Sequence, residues 1–230
     1  MAHPPVPSLY PRCKNAKTRQ RVCDFSTKYV RKGIVVKKMR IFKSTFNTRP
    51  VIENSLKYIR TELPLTISES ELEWLITNRI TTVIDLRSDG ERLQKPCPLS
   101  ADPRFDYHAI SLTGGEKIPV TPADVPLSYI GMVDDKFYRA LDILLTAENG
   151  VLYFCTAGKD RTGTLTAALL FELGFPRDYI VTDYMKSRES LLPLVPAFLA
   201  ANPTVDVNVI TPHPEYITGF LDWYTVNKRS

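Results

Sequence analysis

The sequence predicts an α/β domain, with a short central sheet flanked by helices. Three observations carry that prediction. The apolar run Val151-Leu152-Tyr153-Phe154 has the look of a buried strand, and a polar turn separates it from a helical stretch that starts at Thr164. A β-branched run within Arg79–Asp85 follows a segment with apolar residues at helical spacing. Strand-like and helix-like segments then keep alternating along the chain. With 230 residues and 43% hydrophobic content, the chain suits one domain, or one domain with an extension.

Residues 1–32 are rich in Pro, Lys and Arg and lack periodicity, so they read as an extension ahead of a domain spanning 33–230. Gly33 to Ser44 has the pattern of a hairpin arm. Residues 45–65 give no clear signal. Ser68 caps a helix that Glu71 reciprocates three positions later, with Leu72, Leu75 and Ile76 on its apolar face. A strand ends at Asp85, where Asp85, Arg87 and Glu91 are placed to form a charge network near the strand end. Phe105 to Leu112 is a shorter strand, and His108 there reads as a half-buried residue. Thr113 to Pro126 is a loop marked by Gly and Pro. Leu127 to Thr146 is one helix whose core stripe is Ile130, Val133, Phe137, Leu141 and Leu144. Gly174-Phe175-Pro176 stops one helix and starts the next. Asp183 and Ser187 are four apart on that next helix and share a face, suited to holding it against the base of the 155–161 loop. Residues 188–210, with Pro193, Pro196 and Pro203, form a small lid or helical insertion. Pro214 to Tyr224 closes the chain as a helix.

The chemistry concentrates in Cys155-Thr156-Ala157-Gly158-Lys159-Asp160-Arg161-Thr162-Gly163. A thiol becomes a good nucleophile only as its thiolate, which inward-facing amides, a helix N-terminus and a guanidinium all favour. The same groups bind a phosphate dianion. Thr156, Ala157, Gly158, Lys159, Asp160, Arg161 and Thr162 are the candidate phosphate loop. The planar fork of Arg161 matches two phosphate oxygens. The Thr162 hydroxyl is placed to donate to the thiolate.

This C-x5-R-[ST]-G loop between strand and helix resembles the signature of cysteine-dependent protein tyrosine phosphatases. The fuller string Ala157-Gly158-Lys159-Asp160-Arg161-Thr162-Gly163 resembles the bacterial and fungal tyrosine/serine phosphatase family. So do Thr82-Val83-Ile84-Asp85-Leu86-Arg87-Ser88 with Glu91, and Ile180-Val181 with Asp183, Tyr184 and Ser187. The resemblance covers about residues 40–225, and Lys43-Ser44 stands where the family has Arg-Ser. It implies a protein tyrosine phosphatase-like fold of the dual-specificity type. It also implies a phosphocysteine mechanism with Cys155 as nucleophile and Arg161 as phosphate clamp, and no metal or other cofactor. The general acid has two candidates: Asp124, in a loop 31 positions before Cys155, and Asp160 within the phosphate loop. Implied substrates are phosphotyrosine, phosphoserine/threonine or phosphoinositide, and Lys159 suits a multiply phosphorylated headgroup. The family has His before the nucleophile, where this chain has Phe154. A catalytically weak module that binds phosphorylated ligands is therefore the second reading. Arsenate reduction, a third, needs a resolving thiol, and Cys97 is nearest in sequence.

Charge is uneven along the chain. From Arg12 to Lys43 there are 12 basic residues and one acid, which leaves 18 basic and 24 acidic residues elsewhere. A basic arm on a mildly acidic body fits contact with an anionic surface, although a solvated extension explains it more simply. No nucleic-acid motif accompanies it. No stretch is long and apolar enough to span a bilayer, and the N-terminus lacks a signal-peptide pattern, so the cytoplasm is the expected compartment, with export by a non-classical route open. Four scattered cysteines do not form a disulfide framework, and His3, His108 and His213 have no metal-ligand spacing.

Overall fold

The computed structural model describes residues 41–114 and 117–229. The expected basic extension, 1–32, lies outside the described residues, as does most of the expected hairpin arm. The described end of that arm, 41–44, is bend rather than strand. The reason is that the Lys43 and Ser44 amides donate to the Glu71 carboxylate, at 2.6 and 3.1 Å, and not to a sheet neighbour.

Five strands form one sheet: β1 (Arg49–Pro50), β2 (Tyr58–Glu62), β3 (Ile80–Asp85), β4 (Asp106–Ala109) and β5 (Gly150–Cys155). Their order is β1-β2-β5-β3-β4, with β1 antiparallel to β2 and every other pair parallel. β5 lies in the middle, and its C-terminal end opens between β2 and β3. In open α/β sheets that is where ligands bind, because the strands' carboxyl ends meet helix N-termini there.

The expected α/β fold, a short sheet flanked by helices, is the one observed. α1 (Glu69–Thr77) starts at the Ser68/Glu71 capping box. α2 (Asp89–Gln94) starts at a second such box, Ser88 with Glu91, and a 3-10 turn follows at Pro98–Ala101. The helix expected over Leu127 to Thr146 is in fact two, α3 (Asp124–Ile130) and α4 (Asp135–Thr146). The break comes because Asp134 leaves the helical conformation and caps α4 by accepting from the Phe137 amide. α5 (Asp160–Glu172) begins four residues earlier than expected, so Arg161 and Thr162 lie in its first turn. α6 (Arg177–Leu191) leads into the lid region, where a 3-10 turn (Leu192–Leu194), α7 (Val195–Ala201) and α8 (Val207–Ile210) follow. α9 (Pro214–Asn227) ends the described chain.

Side chains alternate across β5. Val151, Tyr153 and Cys155 join the larger core with α3–α6 and α9, whereas Leu152 and Phe154 join the smaller core with Phe42, Leu75, Cys97 and Leu99. Each fully buried apolar side chain of this kind contributes about 1.5–3 kcal/mol. Among the described residues, no helix is long and apolar enough to cross a membrane.

Candidate active site

Cys155 is the last residue of β5, and the loop 156–159 turns directly into α5. The loop's carbonyls are tied outward. Thr156 O accepts from the Leu63 amide at 3.2 Å. Ala157 O and Gly158 O accept from Asn47 Nδ2 at 3.2 and 3.1 Å, and Gly158 O also from Arg60 Nη2 at 2.7 Å. Lys159 O accepts from the Gly163 amide at 2.7 Å. In a trans peptide the next N–H points opposite to the carbonyl, so the amides of residues 157–160 turn toward the side the loop lines. Gly158 makes the turn possible. Its φ is +67°, and a Cβ there would lie 2.4 Å from Thr61 O.

Arg161 is buried, and Glu91 grips its fork: Nη1 donates to Oε2 at 2.6 Å and Nη2 to Oε1 at 2.7 Å. Nη2 also reaches Thr156 Oγ1 at 3.3 Å, and that hydroxyl donates to Glu91 Oε1. The Nη1/Nη2 edge is thus committed to Glu91, with Nη1 also 3.5 Å from Leu86 O, and Arg161 lines the cavity described below. Burial works against the Arg161 charge, but the Glu91 hydrogen bonds and the charges of Cys155, Glu91 and Asp160 together raise its pKa. Partial burial likewise opposes the charge of Glu91, yet hydrogen bonds from Arg161, Thr156 and Ser88 hold its carboxyl down at about 2.

Asp160 opens α5, and its side chain is 35% exposed. Tyr129 Oη donates to Asp160 Oδ1 at 2.5 Å, and Lys159 Nζ lies 3.3 Å from the same oxygen. Lys159 Nζ also donates to Val209 O at 3.2 Å and Ile210 O at 3.0 Å, tying the loop to α8. The Thr162 hydroxyl is fully buried and has no hydrogen-bond partner, so the donation to the Cys155 sulfur expected from the sequence is not made. Cys155, Thr156, Ala157, Lys159, Asp160 and Arg161 form the floor of a cavity of about 420 Å³. Ile118, Leu194, Val195 and Phe198 supply apolar walls. Asp124 is not among the lining residues. Its carboxylate accepts from the Thr121 amide at 2.9 Å and from Thr121 Oγ1 at 2.7 Å, at the start of α3.

A family model described as "Tyrosine phosphatase family" matches residues 52–227. The chain belongs to the tyrosine phosphatase family. A tyrosine-protein phosphatase of Nostoc commune is 32% identical over 144 residues, covering 58% of this chain and 49% of that protein. The chain thus spans about half the length of that relative. The triple specificity protein phosphatase PtpB of Mycobacterium tuberculosis is 50% identical over 48 residues, covering 21% of this chain and 17% of that protein. Among solved structures, the core catalytic domain of the PP-IP phosphatase SIW14 from S. cerevisiae gives a TM-score of 0.39 at 15% identity, covering 69% of this chain and 93% of that one. A likeness that loose carries no argument about the site.

In this tyrosine phosphatase family member, the outer scaffold of the loop contains residues that sequence reading missed. Arg60, from the middle of β2, has no exposed surface and bridges Gly158 O and Asp183 Oδ2, the latter at 2.7 Å. Arg49 donates to Asp183 Oδ1 at 3.1 Å and to Ser187 Oγ at 3.1 Å. Burial favours the neutral form of Asp183, but the two guanidinium charges outweigh it and lower its pKa. Asp183 and Ser187 therefore meet the loop through these arginines. Asn47 is oriented by Arg49, and the amides of Phe46 and Asn47 donate to Glu62 at 2.6 and 3.0 Å. No signal within 45–65 marked Arg60, because its partners lie 98 and 123 positions away in the chain. The expected network of Asp85, Arg87 and Glu91 is divided. Asp85 takes Arg87 and the Tyr107 hydroxyl, while Glu91 reaches Arg161. Phe154 points to the opposite face of the sheet from Cys155, with the Arg87 guanidinium 5.6 Å from its ring centroid. Phe in place of His therefore takes no side chain out of the cavity. Cys97 is also across the sheet, and burial raises its thiol to about 11, so it does not suit a resolving role for Cys155.

Proposed function

We propose that this chain hydrolyses phosphomonoesters through a phosphocysteine intermediate. The observation that carries the reading is the loop 155–161 itself, with its carbonyls tied outward, its sulfur on the cavity floor and Arg161 locked in place by Glu91. The Cys155 thiolate attacks phosphorus in line, and the bond to the leaving oxygen breaks. The amides and the Arg161 guanidinium take up the charge on the equatorial oxygens, where it concentrates in the transition state. Asp160 gives its proton to the leaving oxygen. It then takes one from the water that attacks the phosphocysteine, releasing phosphate and the thiolate. Asp160 is preferred to Asp124 because it lines the cavity, whereas the Asp124 carboxylate is occupied by Thr121. No step calls for a metal, since Arg161 and the loop dipoles supply the positive field.

The apolar walls favour an aryl ester, with phosphotyrosine the first substrate class. Phosphoserine/threonine and phosphoinositide esters remain within this reading, and the Mycobacterium tuberculosis relative carries triple specificity in its name. The Lys159 ammonium already donates to two carbonyls of α8, so a multiply phosphorylated headgroup would have to displace them. The test is phosphate release from p-nitrophenyl phosphate, phosphopeptides and phosphoinositides. Loss of release in Cys155→Ser and a larger drop in Asp160→Ala than in Asp124→Ala would support the reading. A wild-type chain that binds phosphate without turnover would make it a binding module instead.

A further inference from the structure

We propose that Tyr129, backed by Tyr184, is a positioning residue that presents Asp160 to the leaving oxygen. The inference rests on the reading of Asp160 as the acid and adds the device that aims it. The geometry comes from three separate elements. Tyr129 on α3 donates to Asp160 Oδ1 at 2.5 Å, and the Tyr129 and Tyr184 hydroxyls are 2.7 Å apart. A carboxylate has no proton to give, so Tyr129 must donate to it. Tyr129 has a single hydroxyl proton, so the hydrogen bond between the tyrosines must run from Tyr184 to Tyr129. The chain therefore has one direction, Tyr184 to Tyr129 to Asp160.

Both named contacts on the Asp160 carboxyl, from Tyr129 and Lys159, fall on Oδ1. Oδ1 is held as an acceptor while Asp160 is ionised, so the proton that Asp160 takes up goes to Oδ2, the oxygen that neither contact occupies. A carboxyl at the start of a helix would otherwise rotate freely about its last bond and present either oxygen. The two hydroxyls stay protonated at working pH, because burial first, and the Asp160 charge next, push both phenols well above their ordinary value. The packing is specific to this contact. The two rings meet edge to face at 6.2 Å between centroids. Gly163 on α5 leaves room for Tyr184, whose ring carbon Cδ2 would lie 3.1 Å from a Cβ at that position. Gly163 therefore has a role in this array as well as in the loop motif.

The test uses two aryl esters of similar shape, p-nitrophenyl phosphate with a good leaving group and phenyl phosphate with a poor one. Only the poor leaving group depends strongly on a well-placed proton. Tyr129→Phe is expected to lower kcat/KM for phenyl phosphate roughly tenfold and for p-nitrophenyl phosphate less than about twofold, with inhibition by inorganic phosphate unchanged. In an Asp160→Asn background, Tyr129→Phe should have no further effect on either ester. Equal slowing of both esters, or a persistent effect in the Asp160→Asn background, would overturn the proposal. If Tyr129→Phe does not fold, Tyr184→Phe must show the same leaving-group signature at smaller amplitude, and its absence overturns the proposal equally. Should Asp160→Asn leave the ratio of the two esters at its wild-type value, Asp160 is not the acid and this inference falls with that assignment. A wild-type chain inert toward both esters would remove the phosphatase reading as a whole.

Discussion

Glu91 shows how one carboxylate can serve two structures. It is the third helical residue in the capping box of α2, accepting from the Ser88 amide at 2.8 Å, and it also holds the Arg161 fork. Its folded pKa of about 2 lies below its ordinary 4.5, so the charged form favours the folded state. That contribution is complete above the ordinary value and is lost as pH falls from 4.5 toward 2. Glu71, which accepts from Lys43, Ser44 and Ser68, is lowered to about 2 as well and weakens in the same window. Glu91→Gln should therefore flatten part of the acid limb in a plot of thermal unfolding against pH, and leave the Glu71 part. The substitution also frees the Arg161 fork to rotate. Phosphate release should fall roughly 10–100-fold, since misplacing a phosphate donor by about 1 Å has that effect. An unchanged acid limb would show that the pair adds nothing to stability. Cys155 to Arg161 could be read from the sequence because the loop is contiguous and local. The partner of Glu91 could not be, since 70 positions separate it from Arg161 and Arg87 is a nearer cation.

At the scale of elements, the loop depends on β2 behind it and α6 beside it. Gly158 sits against the backbone of Thr61 and Glu62 with a positive φ. Gly158→Ala adds a carbon 2.4 Å from a carbonyl oxygen that cannot move without breaking β2. The expected outcome is a loss of about 2–4 kcal/mol in urea unfolding together with loss of phosphate binding. On α6, Asp183 pairs with both Arg49 and Arg60 in a buried setting. Asp183→Ala leaves two guanidinium groups without their counter-ion and should cost about 3–5 kcal/mol, measured as a lower urea midpoint at unchanged slope. A cost below about 1 kcal/mol would mean that water reaches the arginines and replaces the carboxylate. Helices with strong end signals, such as α1, could be read directly. β2 could not, because Arg60 and Glu62 look like surface residues until Asp183, Gly158 and the 46–47 amides are seen around them. The break between α3 and α4 was hidden for the opposite reason: the apolar stripe runs through it, and only the capping geometry of Asp134 reveals it.

For the molecule as a whole, the arrangement is a polar floor beneath apolar walls that come from distant parts of the chain. The floor is the loop at the end of β5. Ile118 comes from the connection before α3, and Leu194, Val195 and Phe198 from the lid that follows α6. Lys159 fastens floor to lid by donating to the Val209 and Ile210 carbonyls. The sequence offered a lid or a helical insertion for 188–210, but not which of its residues would reach the loop, because that depends on how α6 packs on the sheet. On the proposed reading, a phosphate held on the floor would put its ester group against the walls, so walls and floor should contribute separably. Phe198 is 38% exposed at the mouth, so its ring can be cut back without opening the core. Losing one face of aromatic contact with an aryl group should weaken binding by about 1 kcal/mol, near fivefold. Phe198→Ala is therefore expected to raise KM for p-nitrophenyl phosphate about fivefold and leave kcat and the inhibition constant of inorganic phosphate as they were. If the phosphate constant shifts in step with KM, the lid is bracing the loop through Lys159 rather than contacting the ester, and Lys159→Met should then reproduce the same shift.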